Sequence, residues 1–129
     1  MLYAKNDSQR IKEEIGDLKE ENKPLLDLLL DLYHWLEDEY DQDVIVTMIY
    51  RTQEEQEEIY GKGYKKKSPH QFFHAFDLRS RIYSEVQIKR IEDYLNSKYN
   101  STNYYKWTAK NHKVGNGAFH FHVQYYKNK

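Results

Sequence analysis

Two stretches of this chain carry side chains that bind metals and move protons. Ser68-Pro-His-Gln-Phe-Phe-His-Ala-Phe-Asp77 supplies His70 and Asp77, and Phe119-His-Phe-His-Val-Gln124 supplies His120 and His122. Two imidazoles and one carboxylate, with the fourth position left to water, are the donor set of a catalytic zinc site. Alternation in the second stretch puts Phe119, Phe121, Val123 and Tyr125 on one face of a strand and His120, His122 and Gln124 on the other. The odd spacing of His70 and Asp77 cannot keep both on one face of a regular strand, so a turn within residues 69–73 must separate them. The expected ligands of Zn²⁺ are therefore His70, Asp77 and His122. A centre with one carboxylate keeps a net positive charge and can polarise a carbonyl. Hydrolysis also needs a proton carrier and a fixed charge for the developing oxyanion. His120, two residues from a ligand, suits the first role. Arg51, at the end of a β-branched run, suits the second.

The elements that must position these groups read as follows. Residues 8–20 have helical composition with Ile11, Ile15 and Leu18 as a stripe, and residues 1–22 as a whole read as a polar helical segment. Pro24 restarts the chain as a second helix to about residue 39, with Leu25, Leu28, Leu29, Leu32 and Leu36 on its core face. Residues 44–49 are a buried strand. Thr52 and Glu55 form a capping-box pattern for a helix over 53–60. A second strand is expected over 75–79, with Ala75, Asp77 and Arg79 sharing a face, and Ser84 caps a helix to about residue 98. Residues 96–103 read as a loop, and 104–109 and 119–126 as the last strands, with a turn at Gly115-Asn-Gly117. The expected architecture is α+β: a small antiparallel sheet with helices packed on one face.

The 129 residues make one domain, 1–129, with 39% hydrophobic and 32% charged residues. A net charge of −1 gives no general case for nucleic acid or an anionic membrane as partner. The run Lys62-Gly-Tyr-Lys-Lys-Lys67 is either a solvated loop or a local attraction for an anionic polymer such as cell-wall material. No cysteine is present, which excludes disulfides and thiolate metal sites. No signal-peptide pattern is seen, so the expectation is a cytoplasmic monomer that would reach a cell wall only through lysis, as in phage release, or export.

The motifs resemble a known family. Tyr50-Arg-Thr-Gln-Glu-Glu-Gln56, then Ser68-x-His70-x6-Asp77-Leu78, then His120-x-His122 look like the three signature blocks of zinc D-alanyl-D-alanine carboxypeptidases. VanX- and VanY-type dipeptidases and L-alanyl-D-glutamate endolysins belong to the same group, which shares its fold with the Hedgehog signalling domain. The resemblance implies a Hedgehog/DD-peptidase fold and zinc held by His70, Asp77 and His122. It implies hydrolysis of a peptide bond in peptidoglycan stem peptides by zinc-activated water, with D,D-carboxypeptidase and L-Ala-D-Glu endolysin specificities both open. Arg51 matches the arginine that binds the substrate and serves catalysis, Ser68 a residue beside the first ligand and a substrate-binding position, and Gln56 a position with a structural role. His120 matches the proton-transferring or oxyanion-stabilising His of the His-x-His variants. Two positions depart from the pattern. Phe73 stands where Gly is usual, so the turn before Ala75 is built differently or the pocket is partly occupied. Phe119 stands where many members place an acidic residue, which keeps open a zinc-containing binding or structural domain without catalysis. His34, His74 and His112 are expected to lie outside the chemistry, His112 in a loop.

Overall fold

The computed structural model describes residues 1–113 and 119–127. The chain opens with a short strand β1 (Leu2–Ala4) and a 3-10 turn (Lys5–Asp7). Two helices follow, α1 (Gln9–Glu21) and α2 (Lys23–Tyr40). Strand β2 (Val44–Met48) leads into α3 (Gln53–Tyr60), and a 3-10 turn (Pro69–Phe72) precedes β3 (Ala75–Arg79). Helix α4 (Glu85–Tyr99) and a 3-10 turn (Asn100–Thr102) are followed by β4 (Ala109–Lys113) and β5 (Phe119–Gln124). The fold is α+β, as the sequence suggested.

Local chemistry explains the element boundaries. Ser8, Thr52 and Ser84 each accept a backbone N–H from the first turn of α1, α3 and α4, and the last two form full capping boxes. Pro24 sits in the first turn of α2, where a missing N–H costs nothing. That helix ends at Asp41, whose left-handed conformation redirects the chain into β2.

The five strands form one sheet in the order β1-β2-β3-β5-β4. It is mixed rather than wholly antiparallel. β1 lies parallel to β2, with Leu2 opposite Val44, whereas the other neighbours run antiparallel. The N-terminal residues, expected to be helical throughout, thus supply an edge strand first. The final hairpin also differs: β4 begins at Ala109 rather than ending there, and the Gly115–Gly117 turn lies outside the described residues.

The core lies on one face of this sheet. Val44, Val46, Phe76, Leu78, Phe121 and Val123 pack with Ile11 and Leu18 of α1, the leucines of α2, and Ile91 and Leu95 of α4. Residues alternating with these in β3 and β5 are Asp77, His120, His122 and Gln124, so burial of the apolar face directs the polar set to the opposite side. Helix α3 adds nothing to the core. Gln56 is its buried residue, and the helix stands beside the polar face instead.

Candidate metal centre

Strands β3 and β5 pair so that Asp77 lies directly opposite His122. His70 reaches the same point from the 3-10 turn before β3, whose first backbone donors are capped by Ser68. One ligand atom from each of His70, Asp77 and His122 lies within 4.8 Å of the others, and all three residues are buried. The Nε2 atom of His70 is 3.1 Å from Asp77 Oδ1, and Nδ1 of His122 is 3.2 Å from the same oxygen.

The hydrogen bonds behind these atoms decide which nitrogens carry protons. His70 Nδ1 lies 2.9 Å from the carbonyl oxygen of Ile49, which can only accept, so Nδ1 is the protonated nitrogen of the neutral ring. The Gln124 amide nitrogen donates to the Trp107 carbonyl at 3.1 Å, which turns its oxygen toward His122 Nε2 at 3.0 Å. His122 therefore donates from Nε2 and presents Nδ1. With both rings neutral, two imidazole lone pairs and a carboxylate oxygen converge with no hydrogen between them. Such an arrangement is repulsive unless a cation, either a proton or a metal, stands there. The donor set therefore fits a divalent ion of the nitrogen- and oxygen-binding class.

Asp77 is the electrostatic centre. Burial pushes its carboxyl up, but once the facing rings take up protons the His70 charge and the hydrogen bonds from His122 and His70 outweigh that and hold it well below the usual range. It is a carboxylate, as a ligand must be. Its second oxygen lies 3.5 Å from His120 Nε2, with the His120 side chain 24% exposed. His120 thus stands beside the ligands at the mouth of the site.

Arg51 is brought to the same place. It is 8% exposed, and its backbone N–H donates to the His70 carbonyl at 3.2 Å. Its guanidinium is held by Gln56 Oε1 at 2.9 Å and by Met48 Sδ at 3.1 Å, while its buried Nε has no partner. Among the described residues no carboxylate satisfies this cation. Gln56 also donates to the Lys66 carbonyl, so the structural role expected of it is the orientation of Arg51. The Ser68 hydroxyl accepts the His70 backbone N–H at 3.3 Å and lines the recess around the ligands.

Phe73 reconciles the first departure from the family pattern. Its φ of 58° and ψ of 33° are left-handed, the conformation that favours glycine. The chain makes the turn with phenylalanine, whose ring stacks on Tyr50 at 4.8 Å and whose carbonyl accepts from Asn22 at 3.0 Å. The ring therefore packs toward the N-terminal helices, against the core. Phe119 is 60% exposed at the rim of a neighbouring cleft.

His112 corrects the sequence reading. It lies on β4, directly opposite His120, not in a loop. Its ring meets those of His120 and His122 edge-on, with centroids 5.0 and 5.6 Å away. Burial above all pushes its pKa down, and its buried Nε2 has no partner among the described residues. His74 goes elsewhere: it bonds Tyr105 at 2.9 Å and stacks on Tyr126 at 4.2 Å. His34 sits on α2 against Tyr33.

Compared with protein-family models, curated proteins and solved structures, the chain gives no match.

Sequence reasoning missed the clamp behind Arg51. Arg10 of α1 donates to both oxygens of Glu55 at 2.8 Å, to Glu14, and to the Tyr50 carbonyl. Glu14 in turn accepts the Tyr50 N–H at 3.1 Å. The polar N-terminal segment thus fixes the residue before Arg51 from both sides.

Proposed function

We propose that this chain is a zinc-dependent peptidase that hydrolyses a peptide bond in peptidoglycan stem peptides. The observation carrying the reading is the convergence of three acceptor atoms, with the ring tautomers set from behind, beside a buried arginine that has no anionic partner among the described residues. The choice of zinc and of peptidoglycan rests on the likeness of the three motif blocks to the D-alanyl-D-alanine carboxypeptidase group.

His70, Asp77 and His122 would hold the ion, which when bound supplies a Lewis acid for the scissile carbonyl and lowers the pKa of water. Arg51 binds a substrate carbonyl or carboxylate, since its guanidinium is desolvated and its protein partners are neutral. Gln56 holds that guanidinium and the Arg10–Glu14 clamp fixes the backbone at Tyr50 before it, which limits the ordering cost when substrate arrives. His120, at the mouth of the site and 3.5 Å from Asp77, accepts and returns the proton. Ser68 acts by seating His70, with its hydroxyl committed to that turn.

The alternative is a metal-holding domain of the same kind that binds without cleaving. Phe119 favours it, because the acidic residue many members carry at that place is replaced by an exposed ring. Digestion of purified muropeptides, with mass identification of the new ends, separates the two. The peptidase reading expects new amino and carboxyl ends that vanish with chelator and in His120→Ala, while that variant keeps its metal. A protein with one zinc per chain that releases no ends is the binding domain.

A further inference from the structure

A cleft of about 820 Å³ opens beside the ligands and shares Arg51, Asp77 and His120 with the recess around them. Its charge is one-sided. Lys5, Arg51, Arg79 and Arg81 line it against the single carboxylate of Asp77. The chain as a whole carries a net charge of −1, so this concentration does not reflect a basic protein. Elsewhere some cations pair with carboxylates, as in Lys12–Asp7, Lys23–Asp27, Lys89–Asp93 and Lys98–Asp31, and others such as Arg90 stand without such a partner among the described residues. Among the described residues the arginine ion pairs all belong to Arg10, and Arg79 and Arg81 have none. Four like charges around one cavity repel each other and strengthen the binding of an anion there.

Arg79 has a defined position within the cleft. It follows Asp77 by two residues on the same face of β3 and lies opposite His120 on β5. Two residues of strand span about 7 Å. An extended peptide covers that distance in about two residues as well. The cleft also has an apolar wall that includes Ile88 and the exposed ring of Phe119. A ligand suited to it carries an aliphatic stem and a negative group.

We propose that this cleft is an acidic-peptide subsite, in which Arg79, assisted by Arg81 and Lys5, binds a free carboxylate about two residues from the bond that is cut. The inference deepens the peptidase reading and rests on it only for the cut bond. The subsite itself is tested by binding.

The test uses the full chain loaded with zinc and two capped tetra-alanine peptide sets. One set carries Glu, and the other its neutral amide Gln, at the second position from either end. Isothermal titration at low salt is expected to show one Glu peptide binding at least about tenfold tighter than its Gln twin, the size of a charge-assisted hydrogen bond. Arg79→Gln should abolish that preference and Arg79→Lys should keep part of it, with zinc content unchanged in both. Arg81→Gln, at an exposed position, should weaken it and serves if the strand variants fail to fold. Equal binding of Glu and Gln peptides overturns the proposal, as does a preference that survives in Arg79→Gln. The peptidase assay on the same peptides is read separately. Discrimination without cleavage of any peptide or muropeptide leaves the subsite standing and defeats the peptidase reading. Cleavage without discrimination does the reverse.

Discussion

Replacing Gln124 tests whether the site is held from behind in the way its hydrogen bonds imply. The Gln124 oxygen accepts from His122 Nε2 at 3.0 Å while its amide nitrogen reaches the Trp107 carbonyl at 3.1 Å. The second bond fixes the sense of the first, and the first fixes which His122 nitrogen faces Asp77. Gln124→Met keeps the unbranched shape and removes both bonds. His122 then loses the acceptor that orients its ring, and partners of metal-binding histidines are typically worth ten- to a hundredfold in affinity, about 1.4 to 2.7 kcal/mol. The variant also leaves a buried N–H and a carbonyl unpaired, at about 1–3 kcal/mol of fold stability. The two effects separate by assay. Zinc affinity is read by competition with a chromophoric chelator at neutral pH, and fold stability by urea unfolding of the metal-free protein. Gln124→Glu restores the acceptor toward His122 and should recover most of the lost zinc affinity. A Gln124→Met protein that folds and binds zinc with wild-type affinity would refute the argument, because His122 would then be placed by its strand alone.

Three further outcomes follow from particular contacts. Arg10 holds the Glu55 carboxyl at about 2, below its ordinary 4.5, mainly through hydrogen bonds that outweigh its partial desolvation. A depressed carboxyl stabilises the fold above its ordinary value and loses that contribution as pH falls from about 4.5 toward 2. Arg10 is 51% exposed and solvent screens the pair, so Glu55→Gln should cost about 1 kcal/mol at neutral pH and nothing near the acid end, read by urea unfolding against pH. At position 73 the left-handed backbone reverses the usual order of small residues: Phe73→Gly should be more stable than Phe73→Ala by about 1 kcal/mol, seen in their unfolding midpoints. His112→Phe replaces a buried unpartnered nitrogen with carbon, and should raise the stability of the metal-free protein by about 1 kcal/mol. A lower midpoint would show that this nitrogen is satisfied.

Some parts of the molecule were readable from residue order because a local rule was strong there. Phe119 to Gln124 alternates without interruption, so His122 and Gln124 could be assigned to one face before any partner strand was known. The turn between His70 and Asp77 followed from parity alone, and it is the 3-10 turn ending at Phe73. Strand β4 escaped because Ala-Lys-Asn-His-Lys has no apolar alternation. Its pairing with β5 makes it a strand, and His112 was lost with it. Strand β1 is three residues long, too short for a period to show, and is defined by its parallel partner β2. Arg10 and Glu14 stand four residues apart on α1 and reach well beyond it. Their targets, Tyr50 and Glu55, lie 36 to 45 residues away, a separation no local pattern encodes.

The geometry around Asp77 is in place before any ion is added. Asp77 and His122 are cross-strand partners in a sheet whose opposite face is the core. His70 is tied to the end of β2 twice, through its ring to the Ile49 carbonyl and through its own carbonyl to the Arg51 N–H. None of these ties involves the atoms that point inward. Folding of the core therefore presses lone pairs together, and it does so against their mutual repulsion. This differs from small zinc domains, in which the ion supplies the folding energy. Here the leucines of α2 and the inner faces of β2, β3 and β5 form the core that brings the three residues together. A cation bound there would relieve the repulsion between the converging lone pairs. Protons and metal compete for the same atoms, because either one removes the repulsion. On the peptidase reading proposed above, a scaffold held by its own core would be able to leave a coordination position to a substrate without losing its shape.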